Sequence, residues 1–276
     1  MNIPKIVILS IVTTVTILAK IDAIVSIVPE KSILDSIGKD SVNTTVMVLP
    51  GNSPHSYEPK PSQMRAVSKA DIYLSIGVEF EKAWLPRFKS QNRDMKIYDI
   101  SSGIERYPIG NAKGGHPDPH IWTSPTNIAK MAENCKSALC ETDPDRCDEY
   151  GKNLTDFKKS VESTRRRIEE ILSGASNRKF MVFHPSWGYF AREFGLEQIA
   201  IERGGKNPGP RELTEIVKKA RAEKISAIVV QPEFSDKSAR ILASELGVPV
   251  IPLSPLSPDW RSTLLKLAKA IAGVEE

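Results

Sequence analysis

The chain has 276 residues, 40% of them hydrophobic, enough apolar material for one large domain or two lobes. Its charged fraction of 26% is ordinary for a globular protein, and its net charge of +4 is mild. The densest basic run, Arg165-Arg166-Arg167, sits among acidic residues in a helix-forming stretch, so a solvated helix face is expected there and not a nucleic-acid surface.

The N-terminus opens with one lysine and then an unbroken apolar or hydroxyl run, Ile6 to Leu18. That run is shorter than the roughly 20 residues a membrane span needs. Small residues follow at Ala19 and Ala23, with Lys20 and Asp22 as a polar break. This is the layout of a cleavable secretory signal, residues 1–23, with cleavage expected after Ala23. The competing reading is a buried first strand. No cysteine lies near the segment, so no lipid anchor on a processed cysteine is expected. The mature protein is expected to be soluble in a periplasm.

Strand-like and helix-like segments then alternate. "TTVMVLP" (44–50) is β-branched and closes on Pro-Gly. "PSQMRAVSKA" (61–70) reads as a helix, "DIYLSIG" (71–77) as a strand, "VEFEKAWLPRF" (78–88) as a helix and "KIYDI" (96–100) as a strand. Strands separated by helices imply βαβ units and a mainly parallel sheet. Ser124 is an N-cap candidate with Pro125 in the first helical position. The helix it starts has the apolar stripe Ile128, Met131, Ala132, Cys135 and Leu139. Cys140 and Cys147 flank the turn "ETDPDR", a spacing that allows a disulfide and leaves Cys135 as a core residue. None of the spacings resembles a zinc knuckle.

From Cys147 the period continues through Tyr150, Leu154, Phe157, Val161, Ile168 and Leu172 without an interior proline. At 1.5 Å per residue this helix is about 40 Å long. It reads as a spine joining two lobes, or as a long surface helix. The βα pattern resumes with "KFMVF" (179–183) and runs to a last helix, "PDWRSTLLKLAKAIAGV". The expected organisation is an N-terminal lobe over 24–146, a linking helix over 147–175 and a C-terminal lobe over 176–276. The fold class is α/β, two βα lobes with mainly parallel sheets.

His55, His120 and His184 each sit beside a proline, as Pro54-His55, Pro119-His120 and His184-Pro185, and so does His116 in His116-Pro117. His55 lies in the loop after the first strand read here, and His184 directly follows "KFMVF". Ligands of open parallel sheets sit at the carboxyl ends of strands, where both histidines fall. His120 precedes a helix. A single histidine is usually packed or exposed. Three held in stiff connections weigh equally as ligands, since imidazole is the commonest metal-binding side chain. A ligand from each lobe places a metal in the cleft. No nucleophile elbow, phosphate loop or HExxH helix is present.

Four stretches, in order, carry a family resemblance. They are "LPGNSPHSYEPKPSQMRAVSKADIYLSIGVEFEKAW", "HPDPHIWTSPTNIAKMAENCKSAL", "FHPSWGYFAREFGLEQIAIERGGKNPGPREL" and "QPEFSDKSARILASELGVPVIPLSPLSPDW". They resemble the periplasmic zinc- and manganese-binding receptors of ABC transporters. The resemblance implies two lobes joined by a rigid helix, a metal between them, and delivery to a membrane permease. Carried over residue by residue, it makes His55, His120 and His184 the metal ligands.

Two departures stand out. Many such receptors offer an aspartate in a C-terminal "L-D-P-L" stretch, which reads Leu253-Ser254-Pro255-Leu256 here. Water is the favoured substitute, with Glu233 and Glu202 as alternatives and Ser254 a hydrogen-bond partner of that water. The loop before His120 has only His116, expected to be solvent-exposed, where zinc-specific members often carry a histidine-rich run. Three imidazoles without a firm carboxylate suit zinc, and manganese prefers oxygen. The expected protein is a monomeric zinc receptor without enzymatic activity. A manganese or iron receptor is the alternative, and a three-histidine zinc hydrolase is a rival from another class. An exported adhesin is a third reading, against which the absence of repeats counts.

Overall fold

The computed structural model describes residues 19–54, 56–109, 116–202, 206–234 and 237–274. The apolar run over 6–18 and the expected ligand His55 lie outside the described residues.

The first lobe is a parallel sheet of order β2-β1-β3-β4, formed by Ile21–Val25 (β1), Val42–Val46 (β2), Ile72–Ser75 (β3) and Lys96–Asp99 (β4). Helices Val28–Gly38 (α1), Pro61–Val67 (α2) and Glu79–Gln91 (α3) make the crossovers. The second lobe repeats the order as β6-β5-β7-β8: Lys179–Val182 (β5), Glu197–Ala200 (β6), Ile228–Val230 (β7) and Val250–Pro252 (β8). Gly188–Glu193 (α6), Pro210–Ala222 (α7) and Lys237–Leu246 (α8) connect them. In each lobe the first strand pairs with the second on one side and the third on the other, so the chain reverses direction across the sheet beside it. That reversal opens a crevice at the carboxyl ends of the strands.

The β1–α1 unit precedes the first strand read from sequence, and it corrects the expected signal boundary. Cleavage after Ala23 falls inside β1, where Ile21, Asp22 and Ala23 pair with Val42, Asn43 and Thr44 and Ala23 also pairs with Ile72. Ile21 and Ala23 are core residues. The folded lobe therefore starts at or before Ile21, three residues ahead of the expected Ile24. The strand was hidden because its apolar residues follow the N-terminal apolar run with only Lys20 and Asp22 between them.

The helix Pro125–Thr142 (α4) begins as expected, with Ser124 Oγ accepting the Asn127 N–H at 3.2 Å. Cys140 and Cys147 form a disulfide, and Cys135 is buried. The bridge joins the end of α4 to the first residue of the 27-residue helix Cys147–Ser173 (α5). The arginine run in α5 is a solvated face: Arg165, Arg166 and Arg167 pair with Glu162, Glu169 and Glu170 along the same helix. The opposite face buries Tyr150, Phe157, Val161, Ile168 and Leu172.

The two lobes share one apolar core. Along β5 and the residue after it, Phe180 and Val182 point into the cluster built by the first lobe, while Met181 and Phe183 point into a separate outer core. Strand alternation divides them. The last helix, Trp260–Ala272 (α9), lies on α5 and not on the second lobe's outer core. Trp260 meets Phe157 edge-on at 5.9 Å, and Ser32 Oγ of α1 donates to Pro258 O at 2.6 Å. The chain after β8 thus returns across the cleft, so residues 176–276 are not confined to one lobe. The stripe Trp260, Leu264, Leu267 and Ile271 finds its cover on the spine.

At the carboxyl ends of β1 and β3 lies a buried polar network. Glu30 accepts the Ser26 and Ile27 N–H groups at 3.0 and 2.9 Å. Glu81 accepts the Ser26 hydroxyl at 2.6 Å and the Ile76 and Gly77 N–H groups at 3.0 and 2.7 Å. Burial, reinforced by Glu81, holds the Glu30 carboxyl well above the usual range, and burial also raises Glu81. The network fixes the loop after β3, which carries Val78 and Glu79 into the cleft.

Two outcomes follow. Replacing both bridged cysteines by serine should lower unfolding free energy by roughly 2–3 kcal/mol in urea melts, the value for closing so short a loop. A raised folded pKa means that folded Glu30 holds its proton while the unfolded carboxyl loses it above about pH 4.5. Its contribution to stability is complete below that pH and declines as pH rises through the folded pKa. Glu30→Gln should therefore gain on the wild type by up to about 1.4 kcal/mol per pH unit in that window, measured as unfolding free energy between pH 4.5 and 8.

Candidate metal centre

His120 comes from the first lobe, at the entrance to a 3-10 turn, Ile121–Thr123, that leads into α4. Asp118 Oδ1 accepts the His120 backbone N–H at 2.9 Å and its Nδ1–H at 2.7 Å. His184 comes from the second lobe, two residues after β5. Glu202, two residues after β6, accepts its Nδ1–H at 2.8 Å. Gln231, just after β7, treats His184 as a neighbouring strand residue, accepting its N–H at 3.1 Å and donating to its carbonyl at 2.7 Å. Phe234 stacks on the His184 ring at 4.6 Å. The imidazoles of His120 and His184 meet edge to face, centroids 5.2 Å apart, with the residues only 7% and 5% exposed.

A carboxylate only accepts hydrogen bonds, so each Nδ1 carries the proton and each Nε2 carries the lone pair. Carboxylate–imidazole pairing of this kind orients a ring and raises its basicity as a ligand. Two such pairs come from opposite lobes and bring their rings into contact.

A cavity of about 30 Å³ beside the His120 ring is lined by Pro54, Val78, His120, Ser186, Glu233 and Leu256, among others. A water needs on the order of 10–15 Å³ measured this way, so the space suits an ion with at most one or two waters. Pro54 brings the loop of the expected third ligand to this cavity. His55 itself lies outside the described residues, and among those described no three histidine, cysteine, aspartate or glutamate side chains gather into a metal site. His116 is exposed, with its carbonyl accepting the Ile109 N–H at 3.0 Å.

Of the expected substitutes for the missing aspartate, Glu202 is the partner of the His184 ring. The Ser254 hydroxyl donates to Glu233 Oε1 and accepts the Leu256 N–H at 3.0 Å. Sequence reasoning missed Asp118 and Gln231. The spacing Asp-Pro-His signals Asp118, since an aspartate two residues before a histidine can reach both its N–H and its ring. Gln231 has no local signal.

Contacts between lobes hold the rings in place. Trp122 Nε1 donates to Pro255 O at 2.8 Å, and Tyr189 OH donates to Asp118 O at 2.9 Å. Glu193 of α6 takes the Ser124 hydroxyl, the Thr126 hydroxyl at 2.8 Å and the Thr126 N–H at 3.3 Å. It places a negative charge at the α4 N-terminus, where the helix dipole favours it. Gly188 opens α6 directly against Asp118: a side-chain Cβ there would stand 2.9 Å from Oδ2. Gly77, at φ +82°, leaves room for the Arg106 guanidinium, which ties Ile76 O to Asp118 O.

Two lobes of one topology, fused along a helix and bringing one buried imidazole each into edge-to-face contact beside an ion-sized cavity that His120 lines, define a two-lobed binding receptor. The chain belongs to the family described as zinc-uptake complex component A, periplasmic, whose match spans residues 24–273. A crystal structure of ZnuA superposes with a TM-score of 0.88 at 40% identity, covering 92% of this chain and 99% of that one. The zinc-binding lipoprotein AdcA of Streptococcus pneumoniae is 26% identical over 255 residues, 86% of this chain and 50% of AdcA. The manganese-binding lipoprotein MntA of Halalkalibacterium halodurans is 25% identical over 222 residues, 79% of this chain and 73% of MntA.

The carboxylates behind the rings are testable. Glu202→Gln and Asp118→Asn keep side-chain shape but lose the charge that sets the tautomer. Each should weaken metal binding 10- to 100-fold in chelator competition while leaving the far-UV circular dichroism unchanged.

Proposed function

We propose that this protein captures zinc in the periplasm and delivers it to the permease of an ABC transporter. The observation that carries the reading is the meeting of His120 and His184, one from each lobe, each with its Nδ1 held by a carboxylate. His55, on the loop whose Pro54 lines the cavity, is proposed as the third ligand. The family match, with its description as a zinc-uptake component, supports the reading.

Zinc is favoured over manganese or iron on donor chemistry. It accepts imidazole nitrogens at about 2.0–2.1 Å in tetrahedral sites, and manganese sits low in the affinity order for such donors. The fold alone does not decide, since a manganese-binding relative shares the family. An ion-sized cavity favours a receptor over a hydrolase, which needs room for a substrate beside the metal. The N-terminal apolar run is proposed as an export signal cleaved ahead of β1, releasing a monomer. No helix among the described residues is long and apolar enough to cross a membrane.

One zinc per chain is the expected stoichiometry in a titration of purified mature protein. Trp122 lies 5.3 Å from the His120 ring, so its fluorescence should respond to binding. His184→Ala should weaken zinc binding by orders of magnitude, and an unchanged titration in that variant sinks the assignment. Affinity should fall below about pH 6, because protonated imidazole has no lone pair to give.

A further inference from the structure

Resting on the zinc reading above, we propose that Glu81 is a positioning residue for His120, and that it holds the site only as an anion, so that taking up a proton loosens the first-lobe side of the cleft. Glu81 lies in the first turn of α3 and is only 4% exposed. Its Oε1 accepts the Ser26 hydroxyl at 2.6 Å and the Ile76 N–H at 3.0 Å, and its Oε2 accepts the Gly77 N–H at 2.7 Å.

The peptide group between Ile76 and Gly77 is gripped at both ends. Glu81 takes its N–H, and Arg106 donates to its carbonyl, Ile76 O. A second guanidinium nitrogen of Arg106 donates to Asp118 O at 3.3 Å. Asp118 Oδ1 then holds the backbone and the ring of His120. A continuous run of hydrogen bonds thus leads from Glu81 through the peptide, Arg106 and Asp118 to the imidazole. The same loop carries Val78 and Glu79 to the cavity that His120 lines. Gly77 makes the arrangement possible: its φ is +82°, and a Cβ there would stand 2.9 Å from an Arg106 nitrogen.

Three donors converge on Glu81, and two of them are backbone N–H groups that cannot be turned into acceptors. An ionised carboxylate only accepts, so it satisfies all three. A proton on Oε2 competes with the Gly77 N–H. A proton on Oε1 meets the Ile76 N–H and the Ser26 hydroxyl, of which the hydroxyl alone can turn, toward Tyr73 OH at 2.7 Å. In both cases the neutral acid holds the peptide less strongly, since hydrogen bonds to a charged acceptor are about twice as strong as neutral ones. The groups around Glu81 are Ser26 after β1, Tyr73 of β3, Glu30 of α1 and Asp99 at the end of β4, with the Arg106 charge on the far side of the peptide. Burial, and then Asp99, raise the Glu81 carboxyl against the three hydrogen bonds that favour its anion. Protonation therefore comes as pH falls, at a higher pH than for an exposed glutamate.

The test compares wild type and Glu81→Gln as full mature proteins, with zinc affinity read by chelator competition in steps from pH 7.5 to pH 5. Glutamine stands for the neutral acid. At pH 7.5 Glu81→Gln should bind zinc at least fivefold more weakly than wild type. That gap should shrink as pH falls, because wild type loses the same charge while protonation of the histidines weakens both proteins alike. Thermal unfolding of the metal-free proteins shows whether the variants fold. Ser26→Ala keeps the carboxylate but removes one bond that favours the anion, so its zinc affinity should begin to fall at a higher pH than that of wild type. Equal affinities of Glu81→Gln and wild type at pH 7.5 overturn the proposal. So does a gap that stays constant down to pH 5, which marks a structural effect without titration, or a Ser26→Ala profile that coincides with wild type. A wild type that binds no zinc refutes the receptor reading itself. Zinc binding that is lost in His184→Ala but unchanged in Glu81→Gln refutes only the role of Glu81.

Discussion

Two imidazole rings from different halves of the chain must stand 5.2 Å apart inside the protein, and most of the structure serves that requirement. A ring on a loop swings about two bonds. Here each is held at its backbone and at its Nδ1. Asp118 does both for His120, while Gln231 and Glu202 divide the task for His184. The holding groups are themselves held: Asp118 by Arg106 and Tyr189 through its carbonyl, and by the close approach of Gly188. The carboxylates matter doubly, because they settle the tautomer as well as the angle of each ring.

Positioning two lobes to that accuracy requires more than a linker. The spine α5, the returning helix α9 and the inward residues of β5 and β7 belong to one apolar cluster that runs from the first lobe through the interface. Interfaces between mobile domains are typically more polar than a continuous apolar cluster of this kind. Wide hinge opening would expose that cluster to water, at a cost that grows with apolar area. Rearrangement is cheaper in the loops at the cleft than in the lobes, and cargo exchange is best sought there.

The repeated strand order, second-first-third-fourth in both lobes, explains why similar crevices face each other although the two halves show no internal sequence repeat. In both sheets the strand order reverses direction beside the lobe's first strand, although the side chains that fill them differ. Each crevice then carries different chemistry. On the first-lobe side the buried Glu30, Ser26, Tyr73 and Glu81 network shapes the backbone; on the second-lobe side Glu202, Gln231 and Phe234 surround a histidine.

Much of this was legible in the chain itself. Alternating β-branched and amphipathic segments announce parallel α/β lobes, Ser124-Pro125 announces the start of α4, and the unbroken period from Tyr150 to Leu172 announces the spine. The prolines beside His120 and His184 mark them as fixed, and the Cys140–Cys147 spacing allows the bridge that forms. These are local signals, arising from backbone stereochemistry and periodicity within a few residues. What the tertiary structure alone decided is non-local. β1 was concealed because hydropathy cannot separate a buried strand from an apolar run just before it, whereas pairing on both sides can. The return of α9 to the spine depends on which apolar surface remains uncovered. Glu202 on His184, Ser254 on Glu233 and Gln231 on the His184 backbone join residues 18, 21 and 47 positions apart, and such hydrogen bonds exist only once the strands are in register.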